Sequence, residues 1–515
     1  MNKGNKALLA GLLAATALAT PQAVAAKATH HAKAHHRPSA LETRLDRLES
    51  ELATLKAQLA DARATNAQAN ARVDVANARA DAAVAQSQIA VQKVVAIESK
   101  PAPAPAPQPD GFKSGATTIK LGGYLKMVAS GSHFSNGSVP TNTLGRDFYL
   151  PQTIPTTVGG RGATSQDFTA KQTRLWLNLD TAVAGHAVKG YLETDFQTTA
   201  SAVQNATAGG SQRTTNGYTL ALRRAYMQVD HFTFGQDWTT FQYTAALPES
   251  TDYVGGAEGT IFVRQPQVRY SAPVSKGVVL NVAVENPESA IIATGSTSTV
   301  ESGTDHLPDL TARLVYTGKR GELSFGGLLR QVRAESTGSA APYALVNNVS
   351  SSGAVGNGQT ATGIGGSVAG KLFLNDAKSS DLRFMATYGQ NIGRYVGLNF
   401  APDAVFNTST NQLTNVKTFA ALVAARLAVA PQVRVNLMGS YQSVNYDNAL
   451  TTANLSGLNK QAWSMAANLF YSPVKNVDLG VEYRHGERTV INSTVTAGEA
   501  KGQLDRIEFA AKYNF

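Results

Sequence analysis

Arg174, Arg224, Arg269, Arg313 and Arg330 each stand among polar neighbours on one face of an alternating stretch. Examples are Arg174-Leu-Trp-Leu-Asn178, Arg224-Ala-Tyr-Met-Gln228 and Gln267-Val-Arg269-Tyr-Ser271. A guanidinium stays charged in proteins, and its planar fork meets a carboxylate with two parallel N–H donors. Gathered in a confined aqueous passage, such groups lower the entry cost of an anion. The same residues have a structural use as well. Paired with Glu193, Asp195 and Glu482, or placed at a membrane rim, they would only brace a wall.

A second constellation lies between Trp238 and Gln265, where Pro248, Glu249, Asp252, Gly255, Gly256 and Glu258 are followed by Arg264. If this segment folds inward, Glu249, Asp252 and Glu258 are expected to face the arginines and set up a transverse field that orients dipolar solutes. Arg264 and Arg269, just beyond it, are then the candidates for the constriction. The alternative is an ordinary external loop.

Other chemistries find little support. No Gly-x-Ser-x-Gly elbow is present, and His231 and His485 lack a serine and acid around them, so no catalytic site is expected. The absence of cysteine excludes disulfides, thiolate metal sites and a lipidated cysteine. His30, His31, His35 and His36 fall in a basic stretch, Lys27 to Arg37, without helical spacing or a carboxylate partner. They read as a solvated tether rather than a metal site, and no cofactor is expected.

What must position the arginines is a set of strands. Ile507, Phe509, Ala511, Tyr513 and Phe515 alternate with Arg506, Glu508, Ala510, Lys512 and Asn514, one greasy face and one wet face. The same pattern gives Ile119, Leu121, Leu125 and Met127 opposite Lys120 and Lys126, and Val278, Leu280, Val282 and Val284 opposite Asn281 and Glu285. About sixteen such segments follow Gly111. Short connections near Gly185, Asp230, Lys276, Lys319, Asp376, Pro431 and Pro473 alternate with long polar ones such as Ser132 to Asp167, Glu285 to Asp309 and Ala334 to Thr360. Short periplasmic turns and long external loops are the habit of barrels in an outer membrane, whereas a soluble sandwich has no reason to sort its loops by length. The fold expected for 112–515 is therefore an all-β, 16-stranded antiparallel transmembrane barrel with both ends in the periplasm. A barrel of that width leaves room for water.

The preceding residues read differently. Lys3 and Lys6, an apolar run from Ala7 to Ala19, and Ala23, Ala25 and Ala26 have the layout of a cleavable export signal over 1–26. A basic, histidine-rich tether occupies 27–40. Leu41, Leu45, Leu48, Leu52, Leu55 and Leu59 then alternate spacings of four and three, the seam of a coiled coil assigned to 41–99. The seam continues through Ala62, Ala69, Val73, Ala76, Ala80 and Ala83, with Asn66 interrupting it; a homotrimer is expected. The alternative is a single helix folded against the barrel. Carried to Ile97, the helix would be roughly 80 Å long at 1.5 Å per residue. Alternating proline and alanine over 100–111 end it.

Composition agrees with this division. The chain has 515 residues, 43% of them hydrophobic and 45 glycine, with no long uninterrupted apolar stretch that would make a helical membrane protein. The formal charge of +10 comes partly from the basic leader, so it says little about partners and gives no case for nucleic acid.

The export signal, the leucine heptads and the Pro-Ala spacer are followed by Ile119-Lys-Leu-Gly-Gly-Tyr-Leu-Lys126, Thr173-Arg-Leu-Trp-Leu-Asn178, Leu222-Arg-Arg-Ala-Tyr226 and Phe234-Gly-Gln-Asp-Trp-Thr239. In this order of parts and in these motifs the chain resembles the DcaP-like porins of Gram-negative bacteria, over nearly all of its mature length. The segment between Trp238 and Gln265 likewise resembles the inward-folding third loop of general porins. The family resemblance implies a trimeric sixteen-stranded barrel with periplasmic coiled coils that passes small anionic solutes such as dicarboxylates. The long Ser/Thr/Asn-rich external loops are a departure that bears on access to the pore. The competing function is a structural tether, in which the coiled coil contacts the cell wall and the barrel is an anchor among outer-membrane lipids.

Overall fold

A computed structural model describes residues 47–61, 63, 64, 67, 111–141, 143–197, 215–302, 304–335 and 356–515. The chain divides into two units, Met1–Pro107 and Gln108–Phe515. In the first, residues 47–61 are helical, and Leu48, Leu52, Leu55 and Leu59 are 53–63% exposed. The export signal, the histidine tract, the Pro-Ala stretch and the rest of the leucine and alanine seam lie outside the described residues.

The second unit is a closed barrel. Its strands are β1 (Thr117–Phe134), β2 (Arg174–Val183), β3 (His186–Asp195), β4 (Ala221–Val229), β5 (Phe232–Trp238), β6 (Arg264–Ser275), β7 (Val278–Glu285) and β8 (Asp309–Gly318). There follow β9 (Gly321–Glu335), β10 (Gly356–Phe373), β11 (Asp381–Gln390), β12 (Gln412–Ala430), β13 (Val433–Tyr446), β14 (Asn459–Tyr471), β15 (Val477–Ile491) and β16 (Glu499–Asn514). Each pairs antiparallel with the next. β16 returns to β1, Tyr124 opposite Asn514 and Phe134 opposite Leu504, so no strand is left with an open edge. No helix among the described residues is long and apolar enough to cross a membrane.

The alternation in the sequence settles which side faces out. Leu121, Leu125, Met465, Leu469, Ile507 and Phe509 are exposed on the outer wall, while Ser464, Asn468, Arg506 and Glu508 point inward. The turn between β2 and β3 shows why the short connections sit where they do. Ala184 and Gly185 both take positive φ, 50° and 85°, the pair that a two-residue hairpin needs to match strand twist.

Among the described residues, the connections after β1, β5, β7 and β11 fold back into the barrel rather than standing out in water. Phe148, Tyr149, Leu150 and Ile154, from the connection between β1 and β2, pack with Val254 and Ala257 from the connection between β5 and β6, and with Phe134 and Leu504 of the wall. Phe241, Ala246 and Ile261 pack with Tyr395 and Val396 and with Leu328, Met385 and Leu422 of β9, β11 and β12. Short strands Ser289–Ala293, Thr299–Ser302 and Ala404–Asn407 form a small sheet that joins the wall through Ala404–Asn407, paired antiparallel with Gln412–Asn415 of β12. Its Ile292 and Val405 join Phe400, Leu450 and Leu455 in another apolar cluster. These loops carry enough apolar side chains to be worth burying, at about 25 cal/mol per Å² of apolar surface removed from water. The lumen is therefore partly filled, and inward groups of β2, β4 and β6 are among those that stay partly exposed.

Candidate permeation site

Basic and acidic strands alternate along one wall. Arg174 is on β2, Arg223 and Arg224 on β4, Arg264 and Arg269 on β6, and Arg313 on β8; Glu193 and Asp195 stand on β3 and Asp237 on β5. Antiparallel register brings the opposite charges together. Arg174 lies 3.3 Å from Asp195 and 3.7 Å from Glu193. Arg224 meets Asp237 at 2.6 Å, and Arg269 meets the other oxygen of the same carboxylate at 2.8 Å. Aromatic rings flank them: Arg224 sits 4.6 Å from the centre of the Tyr191 ring, and Arg174 5.5 Å from that of Tyr124.

Arg223 is the residue that strict alternation misses, since two adjacent strand residues should point to opposite faces. A bulge resolves it: Glu193 is opposite Arg224 and Thr194 opposite Leu222, which leaves Arg223 as the extra residue and turns it inward. It lies 2.6 Å from Glu193 and 2.8 Å from Asp195, its side chain 3% exposed. The signal in the sequence was the Arg-Arg pair itself, because an arginine left facing lipid costs a few kcal/mol at mid-membrane.

Arg264 and Arg313 differ from the others. Among the described residues neither is within ion-pair distance of a carboxylate. The Arg264 guanidinium lies 5.1 Å from the centre of the Trp238 ring, and one of its terminal nitrogens is shielded without a hydrogen-bond partner. Arg313 donates to the Gln242 carbonyl and sits over Tyr243. Arg330 is the opposite case. Its side chain has no exposed surface and is held by Asp403 at 2.7 Å and Asp309 at 3.3 Å, as a brace between the wall and an infolded loop.

The segment between β5 and β6 does turn inward, with Ile261 bridged to Val396 and the Thr260 carbonyl accepting from the Gly397 amide. Contrary to the sequence expectation, none of its acids is within ion-pair distance of the candidate arginines Arg174, Arg224, Arg264, Arg269, Arg313 and Arg330. Glu258 is fully buried and accepts from Tyr149 at 2.5 Å and from Ser464 at 3.0 Å, tying the loop to the opposite wall. Asp252 is buried and accepts from the backbone amides of Tyr149, Val254 and Gly255, which shapes the loop. Glu249 pairs with Arg434 at 2.8 Å and Arg426 at 3.2 Å on β13 and β12. The reason is solvation: a carboxylate inside a packed loop needs donors at once, and the nearest donors are on the wall it packs against.

What the loop presents to the basic wall is Tyr253, which sequence reading passed over. Its hydroxyl accepts from Arg223 and donates to Asp195 at 3.0 Å. Outside the strands, Lys171 and Asp147 pair at 2.8 Å beside the connection after β1, and burial pushes the Asp147 carboxyl up from its ordinary value. Among the described residues no cluster of three or more His, Asp or Glu side chains is arranged to hold a metal ion.

Comparison with known proteins gives three results. The family model described as DcaP outer membrane protein matches residues 152–515. No curated protein matches the chain. Among solved structures, the outer membrane channel DcaP of Acinetobacter baumannii is similar at 25% identity and a TM-score of 0.58, covering 79% of this chain and 99% of that one. The outer membrane protein OmpT of Vibrio cholerae is similar at 14% identity and a TM-score of 0.47, covering 79% and 100%. An anion-selective porin from Comamonas acidovorans follows at 10% identity and 0.46, covering 78% and 100%.

Proposed function

We propose, from the premise that this chain belongs to the DcaP outer membrane protein family, that it is a passive outer-membrane channel preferring small anionic solutes of the dicarboxylate kind. The observation that carries this reading is a charge balance. Along one wall the six guanidiniums of Arg174, Arg223, Arg224, Arg264, Arg269 and Arg313 stand with the four carboxylates of Glu193, Asp195, Asp237 and Glu285, which leaves two positive charges uncompensated there. In a passage narrowed by infolded loops, low-dielectric walls sharpen that field, so a carboxylate entering gains what a cation loses. The gradient does the work, and no cofactor takes part.

The roles differ by residue. Arg264 and Arg313 meet the permeant; Arg174, Arg224 and Arg269 share it with their carboxylates; Arg330 stays in the wall. The loop acids Glu249, Asp252 and Glu258 act by holding the constriction in place.

Reversal potentials across planar bilayers under a potassium chloride gradient test the reading. The wild-type channel is expected to prefer chloride, and Arg264→Ala to weaken that preference while conductance persists. A channel that prefers potassium would remove the anion claim.

The assembly is a homotrimer with its coiled coil in the periplasm. Support comes from the leucine seam, four large apolar side chains on one line of a helix with water as their neighbour.

A further inference from the structure

Tyr253 occupies an unusual place. It is the side chain through which the inward loop touches the basic wall, and what it touches is an ion pair that it hides: Asp195 is 1% exposed and the Arg223 side chain 3%. Tyr253 itself keeps partial exposure. Its hydroxyl plays two parts there, accepting from the Arg223 guanidinium and donating to the Asp195 carboxylate.

Next to this pair stands the unpaired cation. Arg223 and Arg264 lie over the same Trp238 ring, at 6.0 Å and 5.1 Å from its centre. Phe262, packed on Trp238 at 4.8 Å, also borders Tyr253 at 6.3 Å. One cluster thus combines a guanidinium that has a terminal nitrogen without a hydrogen-bond partner with a donor–acceptor seat already filled by a phenol.

We propose that this seat sets specificity, and that the solutes it favours are hydroxycarboxylates. The argument rests on the channel reading above. The carboxylate of the solute binds Arg264. Its hydroxyl takes the place of the Tyr253 hydroxyl, accepting from Arg223 and donating to Asp195, and the tyrosine ring swings aside. A plain carboxylate cannot make that exchange. Its second end would offer only an acceptor or a methylene to Asp195, and leaving a buried acceptor unmatched costs more than a hydrogen bond returns. Tyr253 is in this sense a stand-in for a part of the solute, and only a solute carrying the same donor and acceptor displaces it without loss.

Lactate and propionate, of equal charge and similar size, differ by the one hydroxyl that matters. Bi-ionic reversal potentials on the full-length channel in planar bilayers should give a lactate-to-propionate permeability ratio above one in the wild type, and a ratio roughly two- to tenfold higher once the competing hydroxyl is removed, the factor that one net hydrogen bond is worth. Tyr253→Phe keeps the ring and deletes the competitor for the seat, so the ratio should rise further and the chloride conductance should increase. A wild-type ratio of one or less, in a channel that still prefers chloride to potassium, overturns this inference alone. So does a Tyr253→Phe channel, folded by its heat-modifiable migration, whose ratio equals that of the wild type. A cation-preferring wild type would instead strike the reading on which the inference rests.

Discussion

Arg264 and Arg330 have similar surroundings in sequence and opposite ones in space. Each is an inward arginine on a strand, yet Arg264 has no carboxylate within ion-pair distance among the described residues and Arg330 is locked between Asp309 and Asp403 without exposed surface. The difference is made by Asp403, which lies in the connection after β11 and approaches β9 only because that connection folds inward. Alternation in a strand tells which way an arginine points but not which distant loop will come to meet it. Their removal should therefore be felt in different measurements. Arg330→Ala takes the ion-pair partner from buried Asp403, while Asp309 keeps Arg394 at 2.7 Å; the loss is about 3–5 kcal/mol and should lower the temperature at which the folded barrel loses its compact migration on gels. Its chloride preference should stay that of the wild type. A melting temperature unchanged by Arg330→Ala would show that the pair contributes nothing to the wall.

At the scale of elements the strands were legible and the loops were not. The seven short turns occur near Gly185, Asp230, Lys276, Lys319, Asp376, Pro431 and Pro473, because period-two alternation and turn residues are local signals that survive folding. The inward packing of the connections after β1, β5 and β11 depends on contacts between segments more than a hundred residues apart, such as Tyr149 with Glu258 and Ser464 with Glu258. One glycine records how closely the constricting loop is pressed to the far wall. A Cβ at Gly259 would lie 2.3 Å from the Ala421 carbonyl oxygen of β12 and 2.6 Å from the Leu422 nitrogen, both backbone atoms that cannot step aside. Gly259→Val should lift the loop from β12 and widen the passage. Single-channel recordings are expected to show a larger conductance with weaker chloride preference. Currents indistinguishable from wild type would mean that the loop does not set the narrowest point.

For the whole molecule, the decisive surface is a line of leucines on the helix of the first unit. Leu48, Leu52, Leu55 and Leu59 stand 53–63% exposed on the helix of the first unit, although each would contribute about 1.5–3 kcal/mol if buried. A line of leucines at alternating spacings of four and three drifts little around a helix, and in the proposed trimer equivalent lines on neighbouring chains would cover it by knobs-into-holes packing. Three chains contributing such a seam would hold each other well below the concentration at which barrels meet by chance in a membrane, since linked sites act at a raised effective concentration. The replacement L52N together with L55N removes two layers of this packing and adds polar groups to its centre. Native mass spectrometry of the detergent-solubilised double variant should show the trimer shifted toward monomer. Its barrel should keep the strand content of the wild type, because the sixteen strands close through their own hydrogen bonds from β16 to β1. If the double variant remains fully trimeric, the barrels themselves supply the association and the leucine seam must serve another contact; if no trimer forms even in the wild type, the assembly proposal fails outright.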